Sequence, residues 1–250
     1  MDFGKYIAHR GLHNIDKGIP ENTLAAFRAA CDKGVAIELD VRLTKDGKVV
    51  VVHDMSLKKS CGIEADVKDF TYEQLSAFSV KKTDQKIPLF SQVLKLVDGR
   101  VPLLVEIKDG HGVGTLEKRT YKLLKKYKGE YAIQSFSPFS LLWFRIHAPE
   151  VVRGQLISRF KGKKKTKNIL RRIASTAFVC KVISKPAFVA CDLRSVTLEL
   201  AFKIVDCNAD FLTWTANTAE LIAEAAKFSK SVIGENYPED FDFDYYNENE

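Results

Sequence analysis

Four short stretches of this sequence combine histidines, carboxylates and basic side chains, and each one interrupts or follows an apolar run. They are His9-Arg10-Gly11, Glu38-Leu39-Asp40, His53-Asp54 and Glu106-Ile107-Lys108. Histidine titrates near neutrality and can accept or donate a proton, whereas clustered carboxylates can bind a cation. Arginine and lysine beside them can bind a phosphate group. Metal-assisted phosphoester chemistry requires this combination of residue types.

Three of the carboxylates are predicted to converge. Glu38 and Asp40 are two residues apart in a predicted strand, so their side chains point to the same face. Glu106 ends the next predicted strand and adds a third carboxylate. Such a group is hard to keep ionised without a hard cation, and all-oxygen ligands favour Mg²⁺ or Ca²⁺ over zinc. We predict that these three residues hold that divalent cation; the alternative is that Glu38 and Asp40 form outward salt bridges.

The other polar residues of these stretches suit proton transfer and anion binding. His9 and His53 are predicted to be one proton acceptor and one proton donor. Arg10 and Lys108 have two available roles, because they can bind a phosphate or serve as counter-ions for the carboxylates. The remaining histidines are interpreted as structural; they are His13, His111 and His147.

Eight apolar, β-branched runs are predicted to be the strands that carry these residues. They are Tyr6–His9, Ala36–Leu43, Leu103–Ile107, Tyr131–Phe136, Val152–Ile157, Phe188–Asp192, Phe211–Thr215 and Ser231–Glu235. Helical patterns lie between them at 22–31, 116–127 and 218–228. This alternation predicts an α/β fold, a (β/α)8 TIM barrel, with a doubly wound open sheet as the alternative. In a barrel the active site lies at the carboxyl ends of the strands, where the polar stretches are found.

The segment at about 44–88 does not fit the alternation and is predicted to be a small insertion after the second strand. An Asp46-Gly47 turn precedes an apolar run at 49–52, which is typical of a hairpin. We expect one domain at 1–238, which includes this insertion, and a frayed acidic tail at 239–250.

The net charge of +7 is unevenly distributed. Residues 151–191 contain eleven lysines and arginines and no acid, whereas residues 235–250 contain seven acids and no base. A run of basic residues is most often a solvated surface, but it can also attract phosphate, nucleic acid or an anionic membrane. We interpret the basic cluster at 159–172 as a positive rim that steers anionic substrates and allows peripheral membrane contact. Few aromatic residues are interleaved with it, so no nucleic-acid partner is expected.

Composition excludes several other classes of protein. The chain lacks the run of about 18 apolar residues that a membrane-spanning helix needs, and its first residues do not resemble a secretory leader, so a cytoplasmic location is predicted. Five scattered cysteines without a C-x-x-C pair argue against a disulfide framework and against a thiolate zinc site. The sequence leaves the oligomeric state open.

Taken in order along the chain, the polar stretches and four further motifs resemble the glycerophosphodiester phosphodiesterase family. The further motifs are Pro20-Glu21-Asn22-Thr23, Thr44-Lys45-Asp46-Gly47, Ser135-Phe136 and Trp214-Thr215-Ala216-Asn217. The resemblance implies a TIM barrel with a small inserted cap and a divalent metal on the three carboxylates. It also implies His9 and His53 as the acid–base pair, phosphate binding by Arg10 and Lys108, and Trp214 in the pocket near the glycerol or the leaving group.

The resemblance leaves several alternatives open. The implied reaction is hydrolysis of a glycerophosphodiester to glycerol 3-phosphate and an alcohol, either by direct attack of water or through a cyclic phosphate. A lysophospholipase D-type activity on membrane lysophospholipids and a non-catalytic barrel that binds anionic surfaces are the other candidates. Asn22 or Thr23 is interpreted as a helix cap, with contact between Glu21 and the site as the alternative. Trp214 is either core or substrate wall.

The sequence departs from the pattern of the family near its end. The family usually has Thr-Asp-x-Pro there, whereas this chain has Glu235-Asn236-Tyr237-Pro238. The acids that the family usually has before its third strand are also missing at 87–94. None of these departures falls on the predicted catalytic and metal-binding residues.

Overall fold

A computed structural model describes residues 1–108, 110, 112–158, 179–197, 200, 202, 204, 207–238 and 241–243. Its strands are β1 (Tyr6–Ala8), β2 (Ala36–Leu43), β3 (Val49–Val51), β4 (Leu103–Ile107), β5 (Tyr131–Ser135), β6 (Val152–Ile157), β7 (Phe188–Asp192), β8 (Asp210–Ala216) and β9 (Ser231–Gly234). Strands β2, β4, β5, β6, β7, β8, β9 and β1 follow one another in parallel, and β1 pairs with β2 to close the ring. The predicted TIM barrel is therefore confirmed.

The helices lie outside the ring, as the sequence pattern predicts. Among the described residues, the α-helices are α1 (Leu24–Asp32), α2 (Lys58–Cys61), α3 (Tyr72–Ala77), α4 (Phe90–Val97), α5 (Thr115–Leu124), α6 (Pro138–His147) and α7 (Ala219–Ala226). Outward residues of β2, such as Leu39, share one apolar core with Phe27 of α1 and Phe90 of α4. Within the described part of the chain, no helix is both long enough and apolar enough to cross a bilayer.

The inside of the barrel is filled in layers, because strand side chains alternate between its two faces. The lower layer is apolar and takes residues from every strand of the ring, including Ile7, Leu104 and Ile233. Gly154 belongs to this layer because a Cβ there would lie 1.9 Å from the ring of Phe188. Two residues further along the same strands, the inward side chains become polar, and this change marks the mouth of the barrel.

The extra strand β3 lies outside the ring and pairs with β2 in antiparallel fashion, with Val41 opposite Val51. The turn that joins them contains Gly47 at a φ of 73°, a left-handed conformation that glycine adopts without strain. Buried residues of the predicted insertion, Leu57 and Leu75 among them, form an apolar cluster of their own. This cluster places the insertion beside the mouth, next to the end of β2.

Part of the predicted acidic tail packs on the barrel. Phe241 and Phe243 make edge-on ring contacts with Tyr6 of β1, with centroids 5.0 and 6.2 Å away. Both rings also pack against Tyr237. The basic cluster at 159–172, His111 and residues 239, 240 and 244–250 lie outside the described residues.

Candidate active site

The three predicted metal ligands meet at the mouth of the barrel. Asp40 on β2 lies beside Glu106 on β4. Glu38 lies two residues before Asp40, so its side chain is on the same face of β2. Each side chain offers a carboxylate oxygen, and these oxygens lie within 4.8 Å of one another. All three residues are buried. Strand alternation therefore brings these three residues together, as the sequence predicts.

Burial and mutual repulsion make the three carboxylates unequal. Burial raises the pKa of Glu38 well above its usual range, and the charges of Asp40 and Glu106 add to this effect. Burial also raises the pKa of Glu106 to about 7, although Lys108 acts against it. For Asp40, burial is outweighed by the charges of Lys108, His53 and Arg10, so its pKa lies below its usual range. A divalent cation bound here would favour the ionised form of all three groups.

Two basic side chains are paired with these acids. The Lys108 amine lies 2.9 Å from Asp40 Oδ1 and 2.6 Å from Glu106 Oε1. The Arg10 guanidinium lies 3.5 Å from Asp40 Oδ2, and its Nη1 donates to Glu21 Oε1 at 2.9 Å. Both residues thus act as counter-ions in this structure. The phosphate contact that the resemblance implies for them remains a prediction.

The loop between β1 and α1 supplies two further contacts to the acids. Thr23 caps α1, since its hydroxyl accepts from the backbone amide of Ala26. Asn22 does not cap the helix: its amide donates to Asp40 Oδ2 at 2.8 Å, and its backbone has a positive φ of 56°. Glu21 contacts Arg10 at the site, which is the alternative that the sequence left open. The loop therefore orients Asp40 and Arg10 as well as starting the helix.

His9 lies at the end of β1 and contacts a residue from the other end of the chain. Its Nδ1 is 3.1 Å from Oε2 of Glu235, which follows β9. The same carboxylate oxygen is 3.5 Å from Nε2 of His13. Burial lowers the pKa of His9, although Glu235 acts to raise it. His9 is therefore neutral around pH 7 and can accept a proton.

His53 approaches the same carboxylates from the insertion side. Its Nδ1 lies 2.8 Å from Asp54 Oδ1, and its backbone carbonyl accepts from Arg42 Nε at 2.8 Å. Burial lowers the pKa of His53, while the charge of Asp40 acts to raise it. The two predicted acid–base histidines thus both lie within electrostatic range of Asp40.

Trp214 lies on the inner face of β8, opposite Asp192 of β7. It is half-buried, its indole nitrogen donates to the carbonyl of Ala190 at 3.0 Å, and its ring meets Phe136 edge-on at 5.5 Å. It packs against the apolar core and is only partly buried, and its contact with a substrate remains a prediction. Ser135 of the same motif set donates to the carbonyl of Ile107 at 2.8 Å and so has a structural role.

Sequence reasoning missed two residues of this site. Gln134, which follows Glu106 around the ring, donates to Glu38 Oε1 at 3.3 Å. Glu235 was counted among the acids of the C-terminal region, although the predicted strand Ser231–Glu235 already placed it at a strand end. The strand-end rule that located His9 and Glu106 applies equally to both missed residues.

The chain is similar to known proteins over most of its length. The family model described as "Glycerophosphoryl diester phosphodiesterase family" matches residues 9–239. A glycerophosphodiester phosphodiesterase from Caldanaerobacter subterraneus is 38% identical over 161 residues, which is 60% of this chain and 65% of that protein. A lysophospholipase D from Rattus norvegicus is 34% identical over 140 residues, 51% of this chain and 43% of that protein. These matches span less than two thirds of each relative.

A solved structure has the same fold. It is a phosphodiesterase from Oleispira antarctica in complex with the product sn-glycerol 3-phosphate, and it superposes with a TM-score of 0.76. The superposition covers 93% of either chain at 20% sequence identity. At this level of identity the likeness shows the fold.

Proposed function

Because this chain belongs to the glycerophosphoryl diester phosphodiesterase family, we propose that it is a metal-dependent phosphodiesterase that hydrolyses glycerophosphodiesters to glycerol 3-phosphate and an alcohol. One observation carries the proposal: three buried carboxylates meet within 4.8 Å at the mouth of the barrel, with two histidines in electrostatic range of them. The product bound to the Oleispira antarctica enzyme supports the same substrate class.

The donor set fits Mg²⁺ or Ca²⁺. Glu38, Asp40 and Glu106 offer oxygen ligands only, and hard cations prefer such ligands. Burial, and after it the charge of Asp40, raises the pKa values of Glu38 and Glu106, so their ionised forms are disfavoured unless a cation is bound. When bound, a divalent cation would polarise the phosphate oxygens and make an attacking oxygen more acidic.

The two histidines transfer protons in this proposal. His9 and His53 each have a carboxylate at Nδ1, so Nε2 is the nitrogen left for the substrate. One histidine accepts the proton of the attacking oxygen, and the other protonates the departing alkoxide. The proposal covers both attack by water and attack by a glycerol hydroxyl through a cyclic phosphate.

The proposed substrate contacts follow from the arrangement around the acids. Arg10 and Lys108 provide positive charge beside the carboxylates. In this proposal both side chains also bind the phosphate group of the substrate. Trp214 forms a wall of the pocket on the opposite side of the ring, together with Phe136.

A direct test follows the products. The purified protein is treated with chelator and then supplied with Mg²⁺ or Ca²⁺, and release of glycerol 3-phosphate and choline from glycerophosphocholine is measured. We expect equal amounts of both products, and only with the cation present. Release of phosphocholine instead of choline, or unchanged activity in excess chelator, would overturn the proposal.

A second candidate is lysophospholipase D activity, which is suggested by the similarity to the rat enzyme of that name. Rates on a water-soluble diester and on a lysophospholipid of the same head group separate the two. A non-catalytic barrel would instead show only salt-dependent binding to anionic lipid, unaffected by His9→Gln.

A further inference from the structure

Glu235 is a carboxylate outside the predicted catalytic and metal-binding set, and it contacts His9. Its Oε2 lies 3.1 Å from His9 Nδ1 and 3.5 Å from His13 Nε2. We propose that Glu235 is a positioning residue that accepts the Nδ1 proton of His9 and leaves Nε2 of His9 free for proton transfer. The catalytic part of this inference rests on the proposed function.

The backbone fixes Glu235 between two strands of the ring. Its amide donates to the carbonyl of Ala216 on β8 at 2.9 Å, and the amide of His9 donates to the carbonyl of Gly234 on β9 at 2.9 Å. Inward and outward positions alternate along β9, so Glu235 points inward like Ile233 two residues before it. Gly234 and Tyr237 lie so close that a Cβ on the glycine would be 2.6 Å from the tyrosine hydroxyl. The residues on both sides of Glu235 are thus closely packed.

The charges around the pair select one tautomer of His9. The nearby His13 imidazole and the hydrogen bond with His9 hold the pKa of Glu235 well below its usual range, so the carboxylate is ionised at neutral pH. An ionised carboxylate only accepts hydrogen bonds. His9, whose pKa is lowered by burial, is neutral there and must carry its single proton on Nδ1 to make the contact.

His13 restrains the carboxylate from its other side. The two imidazoles share Glu235 Oε2, and their side chains are each 15% exposed against 25% for the glutamate. The sequence interpretation of His13 as a structural residue is consistent with this contact. Its loss would leave Glu235 attached to His9 with more freedom to rotate.

The second histidine of the site, His53, also has a carboxylate at Nδ1. Asp54 Oδ1 lies 2.8 Å from His53 Nδ1. Asp54 is the next residue along the chain, whereas Glu235 is separated from His9 by 226 positions and reaches it only through closure of the barrel. Two independent routes to one arrangement indicate that Nδ1 is the nitrogen to be held and Nε2 the nitrogen to be used.

The competing explanation is a purely structural latch between β9 and β1. A latch would change stability and leave the tautomer and the balance between kcat and KM unaffected. The decisive readout is therefore spectroscopic. The protein is labelled with ¹⁵N-histidine, and the ring nitrogens of His9, assigned with His9→Gln, are measured at about pH 8, where histidines are neutral.

We expect the Nδ1–H form of His9 in the wild-type protein and a mixture of both tautomers in Glu235→Gln, because an amide can donate or accept. Glu235→Asp should retain Nδ1–H. Glu73→Gln, which changes an exposed glutamate of α3, is the matched control. An Nε2–H form of His9 in the wild-type protein would overturn the inference without any variant.

Kinetics give the second arm. We expect Glu235→Gln to lower kcat on glycerophosphocholine by about tenfold to a hundredfold with KM nearly unchanged, and Glu235→Asp to recover most of the loss. A loss of less than about fivefold in kcat, or an equal rise in KM, would overturn the inference. If the wild-type protein does not hydrolyse the diester, the proposed function fails. The tautomer measurement then decides by itself whether Glu235 holds the proton of His9 on Nδ1.

Discussion

The buried carboxylate of Glu106 should make the stability of the protein depend on pH in a way that Glu106→Gln removes. Glu106 is 7% exposed, and its ionised form is disfavoured by burial and by the charge of Asp40. The glutamine keeps the shape of the side chain and has no charge to place there. The comparison therefore measures how much an ionised carboxylate at this position lowers the free energy of unfolding.

The magnitude follows from the pKa of Glu106, which rises from 4.5 to about 7 on folding. The difference of about 2.5 corresponds to about 3 kcal/mol at 1.36 kcal/mol per pKa unit. Between these two pH values the folded protein retains a proton that the unfolded chain has released. The free energy of unfolding therefore falls as pH rises through this window, and the contribution is lost above about pH 7.

The assay compares chelator-treated wild-type protein and Glu106→Gln by urea unfolding between about pH 5 and about pH 8. His9 and His53 have lowered pKa values and act in the opposite direction, but they cancel when the two proteins are subtracted. The pairing with Lys108 is already contained in the pKa of Glu106. Loss of the Glu106 charge also relieves Glu38, whose pKa that charge helps to raise, and this acts in the same direction. We expect the stability of the variant relative to wild type to increase by about 2.5 kcal/mol over this range, because the unfolded chain has already released part of the proton at about pH 5.

Glu64→Gln is the control, since the side chain of Glu64 is 76% exposed and pairs with Lys58 at the surface. Its difference from wild type should stay constant with pH. A difference for Glu106→Gln that stays constant within about 0.5 kcal/mol would show that Glu106 titrates alike in folded and unfolded protein, contrary to this prediction.

Three further predictions concern the cation, the histidines and the basic cluster. Mg²⁺ or Ca²⁺ should bind more weakly below about pH 7 and release protons on binding, because protons compete for the carboxylates; calorimetry that shows equal affinity at both ends of the range would contradict this. His53→Ala should lower kcat by about a hundredfold or more, whereas His147→Ala, at an exposed position, should not, and a full-rate His53→Ala would exclude the proton-transfer role. Replacement of Lys163, Lys164 and Lys165 by glutamine should lower kcat/KM at low salt and little at high salt, and equal losses at both would count against steering.

Much of the fold could be predicted because the signals are local. Apolar β-branched runs at regular intervals, such as Leu103–Ile107, become strands wherever they can be buried on both faces. The two-residue period also places Glu38 and Asp40 on one face without any knowledge of the neighbouring strands. For these two residues, the spacing in the sequence is enough to predict that their side chains lie close together.

The contacts that the sequence could not supply are those made by closure of the ring. Glu235 and His9 are neighbours only because β9 pairs with β1, with Gly234 opposite Ala8. Composition pointed the other way, since Glu235 stands first in a run of acids. The partner of a basic side chain is equally hard to predict. Whether Arg10 pairs with Glu21, Asp40 or a phosphate depends on the geometry of its loop, which sequence spacing does not determine.

Cation dependence is tested most directly by the rate of glycerol 3-phosphate release from glycerophosphocholine as free Mg²⁺ or Ca²⁺ is raised from chelated conditions, in wild type and in Glu38→Gln. This variant should fold, because the pKa of Glu38 is raised by burial and the neutral form already suits the site. We expect a saturable rise from no activity in the wild-type protein and a weak or absent response in Glu38→Gln. Full activity in excess chelator, or the same cation dependence in both proteins, would contradict this expectation.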